Sequence, residues 1–254
     1  MKITFLGTGA SHGIPVIGCN CEVCSSSNAK DKRLRSSILI QTASNAIVID
    51  AGPDFRQQML REKISRVDAV LLTHEHKDHT AGLDDVRAFN YLMNKPMSIY
   101  AEKRVLDSII REYSYVFSDN KYPGIPEMDL KAIDNSSFCI GDDEINPVQV
   151  YHHKLPVFAY RIGNMAYVTD AKTIPDTEKD KLKNLDVLVL NSLRKRPHIS
   201  HMGIDEAIAL VKELNPKQAF LTHISHKQYM YDELINILPS NMKPAYDGLK
   251  IEIS

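Results

Sequence analysis

Residues 73–79 read Thr73-His74-Glu75-His76-Lys77-Asp78-His79 and place four side chains that commonly bind metals within six positions. The apolar run Ala69–Leu72 just before them predicts a short buried strand. His74 and His76 are two residues apart, so in extended backbone they project to the same side. The last two residues of the stretch come where we expect the chain to turn into a helix. Imidazole and carboxylate are the usual donors to Zn²⁺, Mn²⁺ or Fe²⁺, so the stretch predicts a metal site at a strand end.

The pattern of these histidines and the aspartate resembles the H-x-H-x-D-H signature of the metallo-β-lactamase superfamily. Four more positions fit the resemblance, each just after a short apolar run: Asp50, His152, Asp170 and His223. The resemblance implies an α/β fold, an αβ/βα sandwich of two mixed β-sheets with helices on the outer faces. Since the matched positions span most of the chain, we expect residues 1–254 to form a single metallo-β-lactamase-like hydrolase domain.

The resemblance also implies how the ligands divide between two divalent ions, Zn²⁺ or Mn²⁺. One ion would be held by His74, His76 and His152. The other would be held by Asp78, His79 and His223, with Asp170 bridging both. Asp50 would orient a ligand histidine without touching a metal.

His153 is the alternative to its neighbour His152 as a metal ligand. The two side chains point to opposite faces of a predicted strand, so only one can be the ligand. Relatives read H-x-K-L-P at this point, and Lys154-Leu155-Pro156 in this chain therefore favours His152.

A second cluster lies near the N-terminus, where Gly18-Cys19-Asn20-Cys21-Glu22-Val23-Cys24 has the spacing C-x-C-x-x-C. Three thiolates at this spacing can occupy three corners of a zinc tetrahedron. Cys139 and His226 are candidates for the fourth ligand, but Cys139 lies in a strand-like run that favours a buried free thiol. The cysteines together with Leu221-Thr222-His223-Ile224-Ser225-His226 resemble the PhnP-like branch of the superfamily. That resemblance implies a structural zinc ion held by Cys19, Cys21, Cys24 and His226.

The PhnP-like resemblance implies a phosphodiesterase that opens a cyclic ribose phosphate. The substrate would be a small diester of the type of 5-phosphoribosyl 1,2-cyclic phosphate, attacked by a hydroxide that bridges the two ions. His201, in Pro197-His198-Ile199-Ser200-His201, matches a histidine that acts near the leaving group in those enzymes. Asp78 and His201 are therefore the candidate catalytic residues. Hydrolysis of a lactone, ester or thioester on the same site, and a non-enzymatic metal-binding protein, are the alternatives.

The composition limits the classes of partner. The chain has 254 residues, and 31 Lys and Arg against 32 Asp and Glu give a net charge of −1. Without a global basic field, tight sequence-indifferent binding of nucleic acid is not expected. No apolar run reaches the about 18 residues of a membrane-spanning helix, and Met1–Ala10 does not resemble a signal peptide. We therefore expect a cytoplasmic protein without a membrane partner, and the sequence leaves a homodimer open.

Strand and helix signals alternate along the chain. We expect a hairpin of Ser36–Gln41 and Ala46–Asp50, and helices that include Phe55–Lys63 and Ile204–Glu213. Phe117–Leu130 is rich in proline and glycine, and we expect it to be an irregular connection that could cover the substrate side.

Overall fold

Two seven-stranded β-sheets form the centre of the computed structural model, which describes residues 1–119 and 122–253. The strands of the first sheet are β1 Lys2–Gly7, β2 Ser37–Gln41, β3 Ala46–Ile49, β4 Ala69–Leu71, β5 Met97–Glu102, β6 Met128–Ile133 and β14 Lys250–Glu252. Those of the second are β7 Phe138–Ile140, β8 Asp143–His152, β9 Leu155–Ile162, β10 Met165–Val168, β11 Val187–Asn191, β12 Gln218–Thr222 and β13 Met242–Pro244. Their orders are β14-β1-β2-β3-β4-β5-β6 and β13-β12-β11-β10-β9-β8-β7, and both sheets mix parallel and antiparallel pairs.

Helices connect the strands. They are α1 Glu22–Ser25, α2 Phe55–Glu62, α3 Lys77–Thr80, α4 Arg87–Met93, α5 Lys103–Glu112, α6 Ser114–Phe117, α7 Asp176–Lys179, α8 Ile204–Leu214 and α9 Tyr231–Ile237. Short 3₁₀ turns lie at Ala29–Asp31, Leu83–Val86 and Asp180–Leu182. Among the helices of the described residues, none has both the length and the apolarity needed to cross a membrane.

Three apolar clusters separate the layers of the molecule. The inner cluster lies between the sheets and includes the fully buried Phe5 and Tyr160. Helices α2 and α5 cover the outer face of the first sheet, for example through Phe55. Helices α8 and α9 cover the second sheet, for example through Leu234. Burial of each such large apolar side chain stabilises the fold by about 1.5–3 kcal/mol. The order of the layers, with helices outside two central sheets, confirms the predicted αβ/βα sandwich.

The predicted helices and strands agree with the observed ones, except where pairing with another strand sets the start of an element. The hairpin is β2 and β3, and both predicted helices are present with ends shifted by one residue. The irregular connection Phe117–Leu130 is shorter than expected. Helix α6 includes Phe117, and β6 begins at Met128 because it pairs in parallel with β5. Residues 120 and 121 of this connection lie outside the described residues.

The parallel strands bring the metal motif to one end of the molecule. Strands β3 and β4 are parallel, and so are β10, β11 and β12, so in each sheet their carboxyl ends lie side by side. The two sheets are joined just below the motif: the Phe158 amide donates to the Thr73 carbonyl over 3.1 Å, and the Tyr160 hydroxyl donates to the Leu72 carbonyl over 2.7 Å. Side chains that follow these strands therefore face one another.

Gly52→Ala tests whether close backbone packing fixes the motif. A Cβ atom at position 52 would lie 2.0 Å from the Asp78 carbonyl oxygen, so the backbone would have to shift. We expect thermal or urea unfolding to show a loss of about 1–3 kcal/mol or more. The exposed Ser65→Ala control should stay within about 0.5 kcal/mol of wild type. A Gly52→Ala protein as stable as wild type would contradict this role of the glycine.

Candidate metal centre

Three of the predicted site residues leave their strands with a left-handed backbone. Asp50 follows β3 with φ 64°, Asp170 follows β10 with φ 56°, and His223 follows β12 with φ 53°. Such a conformation costs a residue other than glycine about 1–3 kcal/mol and persists only where the surroundings impose it. The backbone at these strand ends is therefore held in place by the rest of the structure.

The donor atoms converge on the carboxylate of Asp170. Nε2 of His79 lies 3.2 Å from Asp170 Oδ2 and 3.2 Å from Asp78 Oδ2. Nε2 of His223 lies 3.2 Å from Asp170 Oδ1. Bonds of about 2.0–2.2 Å to one tetrahedral ion separate neighbouring donors by roughly 3.3–3.6 Å, so these distances suit metal coordination.

The remaining histidines continue the cluster on its other side. The ring centroids of His74 and His76 are 4.5 Å apart, and those of His76 and His152 are 5.3 Å apart. A ligand atom of His74 lies within 4.8 Å of those of His79 and Asp170. The structure thus gathers all seven residues expected at the active site: His74, His76, Asp78, His79, His152, Asp170 and His223.

His152, and not His153, faces the cluster. Nδ1 of His152 lies 2.9 Å from the Ser200 carbonyl and 3.1 Å from the Asp170 carbonyl. Because both partners can only accept, Nδ1 carries the proton and Nε2 keeps its lone pair for a metal. His153 is exposed and lies in the turn between β8 and β9 with φ 57°.

Asp50 and Thr73 orient two of the other rings. His79 Nδ1 donates to Asp50 Oδ2 over 2.6 Å, as predicted for a residue that positions a ligand. The hydroxyl of Thr73 lies 3.0 Å from both Asp50 Oδ2 and His74 Nδ1. The hydroxyl donates to the carboxylate and accepts from His74, which leaves Nε2 of that ring for a metal. This role of Thr73 was not predicted from the sequence, although the residue directly precedes the motif.

The hydrogen bonding of the histidine nitrogens that face the cluster shows whether metal ions would fit there. Nε2 atoms of His74, His79 and His223 are buried and make no hydrogen bond of good geometry to a described residue, although those of His79 and His223 lie 3.2 Å from carboxylate oxygens. Buried polar atoms are normally satisfied, so three orphaned nitrogens around shared carboxylates indicate a missing partner. Divalent ions that accept nitrogen and oxygen donors, such as Zn²⁺ or Mn²⁺, fit this set.

The charged groups of the centre shift one another's pKa values. Burial opposes the charged form of His79, but Asp50, Asp170 and Asp78 outweigh burial and raise the pKa of this imidazole well above 6.5. Burial likewise opposes ionisation of Asp170, yet His223 and His79 hold its pKa well below 3.8. Without metal, the buried carboxylates are thus balanced by a proton on His79.

His201, which was predicted to act near the leaving group, lies next to the metal-binding cluster itself. Its Nδ1 is 3.7 Å from Asp170 Oδ1, and its ring stacks on His223 with centroids 4.9 Å apart. Burial, followed by the charge of His223, lowers the pKa of His201 to about 3. A ligand atom of His201 is also within 4.8 Å of those of His152 and Asp170, a proximity that was not predicted from the sequence.

The cysteine cluster forms a second donor group. Sγ of Cys19 lies 3.2 Å from His226 Nδ1, and Sγ of Cys21 lies 3.5 Å from it. Ligand atoms of Cys19, Cys21, Cys24 and His226 are all within 4.8 Å of one another. This Cys₃His set suits a tetrahedral structural zinc ion. Cys139 is exposed on β7 and is not part of the group, so its predicted burial is wrong.

A family model described as a beta-lactamase superfamily domain matches residues 45–224, which include every predicted active-site ligand. The chain belongs to the metallo-β-lactamase superfamily. The match confirms the resemblance drawn from residues 73–79.

Similar proteins place the chain within the superfamily. A crystal structure of a diphosphatase from the PhnP family is 36% identical, with a TM-score of 0.93 over 100% of this chain and 98% of the other. This match confirms the resemblance to the PhnP-like branch of metal-dependent hydrolases. Zn²⁺-bound PqqB from Methylobacterium extorquens is 19% identical with a TM-score of 0.78 over 100% of both chains, and shares the fold.

The chain also resembles part of a longer protein. It is 42% identical over 253 residues to an octanoyltransferase of Porphyromonas gingivalis. The match covers 98% of this chain and 51% of that protein, so the chain spans about half the length of this relative.

Cys21→Ser tests the Cys₃His group. Metal bound only by the folded chain contributes to folding stability, so the variant should lose about one equivalent of zinc and unfold at a lower temperature. Elemental analysis and thermal unfolding measure both effects. Cys139→Ser is the matched control and should keep the zinc content and the Tm of wild type. Full zinc and an unchanged Tm in Cys21→Ser would show that the thiols bind no structural ion.

The pKa of His79 predicts how metal affinity depends on pH. Because a metal at Nε2 must displace the proton that the raised pKa retains, affinity should increase with pH by up to about tenfold per unit below that pKa. Calorimetric titration of metal-free protein in buffers of different ionisation enthalpy measures the released proton. Asp50→Asn removes a carboxylate that raises the pKa of His79, so the pH range over which metal affinity increases should move to lower pH. Affinity that stays constant between about pH 6 and 8, with no proton released, would refute this account.

Proposed function

We propose that this protein is a dinuclear metal-dependent phosphodiesterase that hydrolyses a small phosphate diester of the type of 5-phosphoribosyl 1,2-cyclic phosphate. The observation that carries the proposal is that donors on both sides of the cluster approach Asp170: ligand atoms of His74 and His152 lie within 4.8 Å of it, and Nε2 of His79 and Nε2 of His223 each lie 3.2 Å from one of its oxygens. A carboxylate shared between two groups of histidines suits two ions about 3.5–4 Å apart, the separation used for in-line attack on phosphorus.

In this proposal the ligands divide as the resemblance implies. His74, His76 and His152 would hold one ion, Asp78, His79 and His223 the other, and Asp170 both. Bound divalent ions lower the pKa of water towards neutrality and offset the charge on the phosphate oxygens. Zn²⁺ and Mn²⁺ are the candidate ions for this centre, and Zn²⁺ is the candidate for the cysteine group.

His201 is the proposed acid for the leaving group. Hydrolysis adds a hydroxyl to phosphorus, breaks one P–O ester bond and leaves a proton for the departing oxygen. A pKa of about 3 keeps the ring neutral in the free protein. An anionic diester in the site favours the protonated ring, so His201 would take up a proton when substrate binds and then give it to the leaving oxygen.

His201→Ala tests this role by the choice of leaving group. An alkoxide needs the proton and p-nitrophenolate hardly does, so kcat/KM should fall by about 10²–10⁴-fold for a ribose or alkyl phosphodiester and much less for bis-p-nitrophenyl phosphate. His153→Ala, an exposed histidine, is the matched control and should leave both rates unchanged. His74→Ala should impair both substrates alike, because it removes a metal donor. An equal loss on the two substrates in His201→Ala would contradict acid catalysis.

A second candidate is hydrolysis of an acyl ester or thioester at the same centre. It is supported by the relative named an octanoyltransferase, although the chain spans only 51% of that protein. Assays of an octanoyl thioester and a lactone beside linear and cyclic phosphodiesters separate the two. Faster turnover of the thioester would favour the second candidate, and no turnover of any substrate would favour a non-enzymatic metal-binding protein.

A further inference from the structure

Helix α5 is attached to the metal motif at two residues that are not metal donors. Arg104, in the first turn of the helix, forms an ion pair with Glu75. Glu112, the last residue of the helix, forms an ion pair with Lys77. These two motif residues flank His76 on either side, so the backbone that carries this histidine is attached to one helix.

The ring of His76 lacks the hydrogen bonds that orient three other donors of the centre. A hydroxyl lies against the ring of His74, a carboxylate accepts from that of His79, and two carbonyls accept from that of His152. Within residues 1–119 and 122–253, no hydrogen bond joins a ring nitrogen of His76 to another group. His76 is also exposed, whereas His74 and His79 are fully buried. Its position therefore depends on the residues on either side of it.

Arg104 is held in place by groups outside the motif. Its Nη2 donates to the Pro156 carbonyl over 2.8 Å and to Glu102 Oε2 over 3.1 Å. Pro156 lies in β9 opposite Tyr151, the neighbour of His152 in β8. The guanidinium therefore joins the motif to the strand that carries His152, a donor to the same ion in the proposed centre. Because a guanidinium presents its donors in a rigid planar fork, it can keep two segments at a fixed separation.

Helix α5 has a fixed position on the first sheet. Val105 and Ile109 are fully buried in the cluster that covers the outer face of that sheet. Directly after the helix, the Tyr113 hydroxyl donates over 2.9 Å to the carbonyl of Thr80, the last residue of α3. Because close packing leaves buried groups little freedom to move, a helix held in this way can hold the motif in turn.

We infer that helix α5 positions His76 for metal binding, with Arg104 as the main positioning residue and Glu112 as the lesser one. The inference rests on the proposed metal centre and deepens it. The side chains of Arg104 and Glu75 are 33% and 25% exposed, whereas that of Lys77 is 63% exposed, and solvent weakens exposed ion pairs more. Residues that orient a metal ligand commonly change metal affinity by about 10–100-fold when they are replaced. Arg104 therefore sets the affinity for the ion that His76 binds, without touching that ion.

Titration of the protein with Co²⁺ after removal of its active-site metal, followed by the visible absorption of the bound ion, tests this inference. In Arg104→Ala, the affinity for one Co²⁺ ion of the centre should fall by about tenfold or more. Arg104→Lys keeps one charged donor and should recover part of the loss. Arg161→Ala is the matched control, because the Arg161 guanidinium also donates to carbonyls, those of Gly163 and Lys181, but at the far end of β9. The control should bind Co²⁺ within about twofold of wild type.

His76→Ala shows whether Arg104 acts through this histidine. The variant keeps the six other donors of the centre, so its remaining affinity for Co²⁺ can be titrated. In the His76→Ala background, Arg104→Ala should lower the affinity by less than about twofold, because the residue that Arg104 positions is gone. A loss of the same size in both backgrounds, or no loss in either, would overturn the inference.

The same titration separates failure of this inference from failure of the proposed function. If the wild-type centre binds one Co²⁺ ion in place of two, the dinuclear proposal fails, and the comparison of the two backgrounds still decides the role of Arg104 for that ion. If the centre binds two ions and their affinity is unchanged in Arg104→Ala, the inference fails and the proposed function is unaffected. A wild-type centre that binds no Co²⁺ would overturn both.

Discussion

The carboxylate of Asp170 lies between His79 from the first half of the chain and His223 from the second, and the architecture serves to keep these three groups together. Burying a carboxylate is costly unless positive charge or hydrogen bonds compensate it. Here the compensation comes from imidazoles on segments that follow strands of two different sheets, His79 on α3 after β4 and His223 directly after β12. The parallel strands of the two sheets must therefore end at the same edge of the molecule. The backbone must also adopt left-handed conformations at Asp170 and His223, which direct their side chains toward the centre.

The N-terminal loop reinforces the second half of this arrangement. His226, in the Cys₃His group, lies three residues after His223 on the same loop. The amide of Ile224, between them, donates to the Thr8 carbonyl over 2.9 Å. Below it, the fully buried Arg33 guanidinium donates to the Thr8 hydroxyl over 2.7 Å and to the Ala245 carbonyl over 2.6 Å. A structural ion on the cysteines would thus support the loop that carries an active-site donor.

Much of this site could be predicted because its chemistry lies in side chains with a fixed spacing. Residues 73–79 identified the superfamily, and the runs before Asp50, Asp170 and His223 located strand ends. That these residues belong to one site could not be derived without the resemblance, since they are up to 173 residues apart in sequence. The carbonyls that fix His152 carry no sequence signal at all, because a backbone oxygen is the same in every residue.

Other features depended on tertiary context. Strand β6 alternates apolar and polar side chains from Met128 to Ala132, but its first residues were predicted to belong to the irregular connection, and its pairing with β5 sets where it begins. The burial predicted for Cys139 was wrong because β7 lies at the edge of its sheet, where a side chain can face solvent. The proximity of His201 to Asp170 follows from the loop between β11 and α8, whose path is set by contacts such as that between the Leu193 amide and the Met202 carbonyl.

Metal analysis of Asp170→Asn beside wild type tests the central claim most directly, because a shared carboxylate is what a dinuclear centre requires. The account predicts about three ions per chain in wild type and about one in the variant, the remaining zinc being held by the cysteines and His226. The variant should also lose hydrolase activity while keeping its fold by circular dichroism. An Asp170→Asn protein that retains the metal content and the activity of wild type would contradict the dinuclear centre.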